Sequence, residues 1–229
     1  MSVDPQRPRI AVPGSPYAAF DVVAMAASTG GLRAYSQLLA ALPSNFPAAV
    51  ILVQHRTPRH QHLLVDLLSR RSALPTREAA AADRLRGGTV YVAPSDQQLV
   101  VHPDGTLTVS PPPAGGLWRC AADPLFESVA VAFGERAIGV VLTGELSDGA
   151  AGVQAIKRTG GRVLIQDQAT AECWSMPRAS IATGCVDFVL PLQTITAALV
   201  ALVMAPGAAT LLRVPTAPWA RLTAPLSRS

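Results

Sequence analysis

Apolar residues occur along the chain in short unbroken runs that alternate with stretches of helical spacing. Unbroken apolar runs predict strands that are covered on both faces, as in a parallel sheet. The predicted strands read DVVAMAAS, AAVILVQH, GTVYVAP, AIGVVLTG, RVLIQD and VDFVL. The predicted helices read LRAYSQLLAALP, HQHLLVDLLSRRS, ADPLFESVAVAFG, DGAAGVQAIKRTG, MPRASIATG and LQTITAALVALVMA.

Strands that alternate with helices predict a doubly wound α/β fold of the Rossmann-like kind: a mainly parallel sheet with helices on both faces. One stretch, QQLVVHPDGTLTVSP, instead predicts an inserted antiparallel hairpin, because Pro103-Asp104-Gly105 is strong turn chemistry between two β-rich arms. We expect a flexible N-terminal arm over 1–20, one folded domain over 21–205 and a C-terminal tail over 206–229.

Two helices carry more detailed expectations. In the second, the spacing places Leu63, Leu64, Leu67 and Leu68 on one apolar face. In the third, Asp123 is a plausible N-cap with Pro124 in the first turn.

Composition narrows the function classes. The chain has 229 residues, is 49% hydrophobic and carries a net charge of +4 without a basic run, which argues against nucleic-acid binding. The most membrane-like stretch, ITAALVALVMAPGAATLL, is broken by Pro206-Gly207 before it reaches the roughly 20 residues that a span needs. We therefore expect no membrane insertion. Three cysteines without a CxxC pattern predict neither a disulfide framework nor a metal site, and they fit a reducing cytoplasm.

Three polar residues follow predicted strands, where sites form in open α/β sheets. Ser28 follows the first strand, His55 ends the second, and Asp148 lies in LTGELSDGAAG after a later strand. A hydroxyl, an imidazole and a carboxylate are the set used for acyl transfer. The helix after Ser28 would also direct its N-terminal N–H groups toward a developing oxyanion.

Each residue also has a simpler interpretation. Ser28 in ASTGG could be a turn residue, His55 a strand-end histidine, and Asp148 the N-cap of its own helix. The turn also resembles a phosphate-binding loop, although neither GxGxxG nor GxxxxGK[ST] is present.

Six separated stretches, in order, resemble the catalytic domain of the chemotaxis protein-glutamate methylesterase family, the CheB type. They read ASTGG, QH, VYVAPSDQQL, DPLFESVA, LTGELSDGAAG and SMPRASI, and the similarity runs from about Asp21 to Leu199. The resemblance implies hydrolysis of glutamate γ-methyl esters on the cytoplasmic helical bundle of chemoreceptors, with possible deamidation of receptor glutamines. It implies Ser28 as nucleophile, His55 as base and Asp148 as the carboxylate that orients it, with no cofactor.

The resemblance also implies that Thr29 and the backbone N–H of Glu145 surround the oxyanion. Glu145 stands where the family commonly has methionine, which favours an alternative: a catalytically weak receptor-binding module that retains the fold. Candidates for the substrate groove are Arg56, Arg59, Trp118 and Arg119. The 20 residues before Asp21 are too few for the receiver domain that the family usually carries, which needs on the order of 100 residues, so we expect no intramolecular receiver.

Overall fold

The computed structural model describes residues 18–54, 61–112, 121–205, 207–215, 217–218 and 220. The strands are β1 Val22–Ala27, β2 Ala49–Gln54, β3 Thr76–Glu78, β4 Val90–Val92, β5 Gln98–Val101, β6 Leu107–Ser110, β7 Ala137–Val141, β8 Arg162–Gln166 and β9 Phe188–Leu190. The helices are α1 Gly31–Ala41, α2 Gln61–Ser69, α3 Ala122–Phe133, α4 Ala150–Arg158, α5 Ser175–Ile181, α6 Leu192–Met204 and α7 Ala208–Leu211, with a 3₁₀ turn at Gly134–Arg136.

Seven strands form one parallel sheet in the order β3-β4-β2-β1-β7-β8-β9. The chain first builds outward from β1 on the β2 side and later returns to add β7 on the other side of β1. The change of direction between β1 and β7 is a topological switch point, where open α/β sheets bind ligands beyond the carboxyl ends of the strands. This confirms the predicted fold class.

Each face of the sheet is covered by helices, and the alternation along β1 shows how. Val23 and Met25 belong to a core that includes side chains of α1, α2 and α6. Val22 and Ala24 belong to a second core, which includes side chains of α3 and α4 and of the β5-β6 hairpin. Because successive side chains of a strand point to opposite faces, an unbroken apolar run is what this two-sided burial requires.

The inserted hairpin is confirmed: β5 and β6 pair antiparallel and form a separate two-stranded sheet. Two details differ from the sequence expectations. Strand β3 was not predicted, because Thr76–Glu78 is three residues long and contains no apolar side chain. The expected face of α2 is also wrong at Leu63, which is exposed, whereas Leu64 and Leu68 are buried. In the described part of the chain, no helix is long and apolar enough to cross a membrane.

Candidate active site

Ser28 lies in a tight turn between β1 and α1, at the switch point. Its carbonyl accepts a hydrogen bond from Gly31 N at 2.8 Å, and Gly30 adopts a left-handed conformation with φ of 80°. A Cβ on Gly30 would lie 2.9 Å from Cβ of Glu172, and one on Gly31 would lie 2.8 Å from Cβ of Ala27. The glycine pair therefore serves both the backbone conformation and the close packing of this turn.

The turn is tied to the loop that follows the adjacent strand β7. The N–H of Ser28 donates to the carbonyl of Thr143 at 3.0 Å, and the Thr143 hydroxyl donates to the Thr29 carbonyl at 2.9 Å. The same hydroxyl accepts the N–H of Cys173 at 2.8 Å, and the Thr143 N–H donates to Oε1 of Gln166 at 2.8 Å. One buried threonine thus connects the loops that follow β1, β7 and β8.

Gly144 leaves no space beside Ser28. A Cβ at Gly144 would lie 2.2 Å from Sδ of Met176 and 3.0 Å from Cβ of Ser28. Sequence reasoning singled out neither Thr143 nor Gly144 as a site residue. Their position directly after a buried strand was the available signal, since side chains at that edge face the switch point.

The end of β2 approaches the same turn. Gln54 pairs in register with Ala27, and its Nε2 donates to the Ser28 carbonyl at 3.2 Å. The hydroxyl of Tyr35, buried on α1, lies 3.1 Å from the carbonyl of Met25 and 2.7 Å from that of Val53, so it bridges the two strands. His55 follows Gln54 directly in the sequence but lies outside the described residues, as do Arg56, Arg59, Trp118 and Arg119.

Asp148 is buried in the loop between β7 and α4, and the N-terminus of α3 surrounds its carboxylate. Oδ2 accepts the N–H groups of Ala121 at 3.0 Å and Ala122 at 2.9 Å, and Oδ1 accepts that of Asp123 at 3.2 Å. The simpler interpretation of Asp148 as the N-cap of its own helix is wrong, because Gly149 holds the N-cap position of α4. The carboxylate instead takes up the unpaired N–H groups of a neighbouring helix.

The predicted N-cap role of Asp123 is also wrong. Ala121 is the N-cap residue of α3, and Asp123 lies in the first turn. Its Oδ1 accepts the N–H of Gly152, in the first turn of α4, at 2.7 Å. Pattern rules for capping assume a partner in the same helix, whereas this carboxylate bonds to the next helix along the chain.

Glu145 and Thr29 meet at the rim of the site. The Thr29 hydroxyl donates to Oε1 of Glu145 at 3.2 Å, and both residues are exposed. Among the described residues, no acceptor is paired with the backbone N–H of Glu145. A cleft of about 590 Å³ opens beside this rim and is lined by Ser28, Thr29, Gly30, Gly31, Leu32, Arg33 and Gln54.

The described residues hold no group of three or more His, Cys, Asp or Glu that could bind a metal ion.

A family model described as CheB methylesterase matches residues 23–199. The chain belongs to the CheB methylesterase family. Its solved relatives include the catalytic domain of the CheB methylesterase of Thermotoga maritima, with a TM-score of 0.76 and 32% identity, covering 80% of this chain and 98% of that one.

Two curated relatives show how much of a family protein this chain represents. It is 43% identical over 191 residues to a protein-glutamate methylesterase/protein-glutamine glutaminase of Moorella thermoacetica, covering 82% of this chain and 45% of that protein. It is 42% identical over 195 residues to the protein-glutamate methylesterase FrzG of Myxococcus xanthus, covering 85% of this chain and 58% of that protein. The chain thus spans about half the length of these CheB-family relatives.

Proposed function

We propose that this CheB-family chain is a serine esterase that hydrolyses glutamate γ-methyl esters on the cytoplasmic helical bundle of chemoreceptors and releases methanol. The observation that carries the proposal is the placement of Ser28 and Asp148 after the adjacent strands β1 and β7, at the switch point of the sheet. The names of the curated relatives supply the substrate class and add glutamine deamidation as a second reaction.

In the proposed mechanism, Ser28 Oγ attacks the ester carbonyl while His55 takes the hydroxyl proton. The proton then passes to the departing methoxide, which leaves as methanol, and an acyl-Ser28 intermediate remains. Water attacks this intermediate with His55 again acting as base, so that free glutamate is released and Ser28 regains its proton. Deamidation follows the same steps with ammonia as the leaving group.

Two features of the structure support these roles. In β2, Gln54 pairs with Ala27, so the residues that precede His55 and Ser28 are neighbours across the sheet. The three N–H groups that donate to the Asp148 carboxylate fix its orientation, and an oriented carboxylate is what holds and stabilises an imidazolium.

For the oxyanion, the candidates are the Thr29 position and the backbone N–H of Glu145. The hydrogen bond between the two side chains places their loops together at the rim of the cleft. For the substrate groove, Arg56, Arg59, Trp118 and Arg119 remain proposals drawn from the sequence. Three arginines and an aromatic ring would suit an acidic helical surface.

Methanol release tests the proposal. The purified chain is incubated with a receptor fragment that carries labelled methyl esters, beside S28A and the matched control S69A, which removes an exposed serine hydroxyl on α2. We expect S28A to lower the rate by at least about a thousandfold and S69A to leave it unchanged. Equal rates for S28A and the unaltered chain would contradict the proposal. Binding of the fragment without release of methanol or ammonia would favour the alternative, a catalytically weak receptor-binding module.

A further inference from the structure

The N-terminus of α3 and that of α4 each bind a carboxylate from the other helix or the loop before it. Asp148 precedes α4 and accepts three N–H groups from the start of α3. Asp123 lies in the first turn of α3 and accepts the N–H of Gly152 in the first turn of α4. Neither helix has a side-chain cap of its own, since the N-cap residues are Ala121 and Gly149. Each carboxylate therefore replaces the missing cap of the other helix.

The exchange depends on close contact of the two helices. A Cβ at Gly152 would lie 2.5 Å from Cβ of Phe126, so a larger residue would push α4 away from Asp123. Phe126 is fully buried one turn after Asp123, which fixes the first turn of α3 against α4. The hydrogen bonds of the two carboxylates are thus coupled. Asp123 holds α4 against α3, and the N-terminus of α3 holds Asp148.

Asp123 also lies within electrostatic reach of Asp148. Burial, together with the negative charges of Asp148 and Glu127, raises the pKa of Asp123 to about 6 against the opposing effect of the N–H groups of Gly152 and Gly149. Since two carboxylates share one pair of helix N-termini, a charge change on one alters the field at the other.

We propose that Asp123 is a positioning residue that holds the Asp148 carboxylate in its working orientation through the paired N-termini of α3 and α4. The inference rests on the proposed function, because Asp148 is the carboxylate of the proposed triad. Asp123 does not touch the reacting atoms in this scheme. Its effect reaches Ser28 through Asp148 and His55, so it should change the rate of catalysis and leave substrate binding intact.

The test compares D123A, which removes the bond to Gly152, with D123N, which keeps an acceptor at the same atom and removes the charge. The matched control E127Q removes a nearby charge on α3 without touching either cap. We expect D123A to lower kcat about tenfold with KM within twofold. We expect D123N to restore kcat to within threefold, and E127Q to behave as the unaltered chain.

A second readout does not need the receptor. A fluorophosphonate labels an activated serine directly, so the labelling rate of Ser28 between pH 5 and 8 reports on the site itself. We expect D123A to slow labelling about tenfold at every pH. In D123N the dependence on pH near 6 should be smaller than in the unaltered chain, because the group that titrates there is absent.

The two readouts separate the inference from the proposed function. One outcome is that labelling is slowed in D123A while the unaltered chain releases no methanol from any receptor. This outcome would support the inference and contradict the proposed substrate. Labelling of D123A that matches the unaltered chain once corrected for the folded fraction would overturn the inference. A D123N variant as slow as D123A in both assays would also overturn it, because rescue by the retained acceptor is its central requirement.

Discussion

The two sides of the candidate site are held by different kinds of contact. The backbone of Ser28 and Thr29 is fixed by neutral groups in close packing: the carbonyl and hydroxyl of Thr143 and the absent side chain of Gly144. The Asp148 loop is fixed by carboxylates that face helix N-termini. Neutral contacts do not titrate, whereas carboxylates do. We therefore expect the position of Ser28 to be independent of pH and the position of the Asp148 carboxylate to depend on it.

The comparison also separates two kinds of sensitivity to mutation. At Gly144, behind the Ser28 turn, there is no room for another side-chain atom, so we expect substitutions that add atoms there to be the most damaging. On the Asp148 side, the loss of an acceptor leaves helix N–H groups unpaired, so we expect substitutions that remove a carboxylate to be the most damaging.

Among the variants that probe how the two sides are held, the largest effect is expected for G144A. The new Cβ would overlap Met176 and press on Ser28, costing about 1–3 kcal/mol of stability and about a hundredfold in kcat/KM. The matched control is G139A in β7, the strand that precedes Gly144, where a Cβ would find ordinary contacts of 3.4 Å and more. Thermal unfolding and ester hydrolysis measure both. Full activity of G144A would mean that the Ser28 side is not sterically fixed.

A smaller effect is expected for T143V, which keeps the shape and removes the hydroxyl. The Thr29 carbonyl and the Cys173 N–H would each lose a partner, at a cost of about 1–3 kcal/mol, and kcat should fall about tenfold. The control T159V removes an exposed hydroxyl that bonds only within the end of α4, and it should stay within about 0.5 kcal/mol. Denaturant unfolding separates the two, and equal stability losses would contradict the role of Thr143.

A modest effect is expected at the rim. E145Q keeps an acceptor for Thr29 and removes the negative charge beside the proposed oxyanion. Because the side chain is exposed, the charge is screened, and kcat/KM should rise by no more than about fivefold. Measurements at low and high salt check the sign, since the gain should shrink as salt rises. A rise far above tenfold would show that Glu145 strongly inhibits the site and would favour the weak-module alternative.

The smallest effect is a pH dependence of stability from Asp123. Its folded pKa of about 6 lies above the unfolded value near 3.8, so the folded state binds more protons in this interval. The contribution of Asp123 to the free energy of unfolding is therefore full below about pH 4 and is lost as pH rises to 6. Because the group is only partly buried, the change should not exceed about 1 kcal/mol. Urea unfolding of both proteins across this range measures the effect. The free energy of unfolding of the unaltered chain minus that of D123N should fall as pH rises, and a rise of this quantity would contradict the account.

The sequence was sufficient for the architecture because burial on both faces leaves a strong pattern. The apolar runs that became β1, β2, β7 and β8 are long and continuous, and the Pro-Asp-Gly turn defined the hairpin. Strand β3 was not predicted because it is short and polar. The burial predicted for Leu63 was wrong because its apolar side chain faces outward from α2.

The site was predictable only in part. Ser28 and Asp148 could be proposed from their positions after strands, and the structure places both at the switch point. The cross-helix roles of Asp123 and Asp148 could not be predicted, because they join residues about 25 positions apart whose helices meet only in the folded chain. Thr143 likewise acts through contacts with residues 114 and 30 positions away, which no local pattern records.

The most direct test of the account is to find where a fluorophosphonate reacts. Peptide mass spectrometry after brief labelling should find the phosphonyl group on Ser28, with the exposed Ser69 as an internal control that stays unlabelled. In D148N, labelling of Ser28 should slow at least about a hundredfold. Labelling of Ser28 no faster than of Ser69, or equally fast in D148N, would contradict the claim that Ser28 is a nucleophile activated through Asp148.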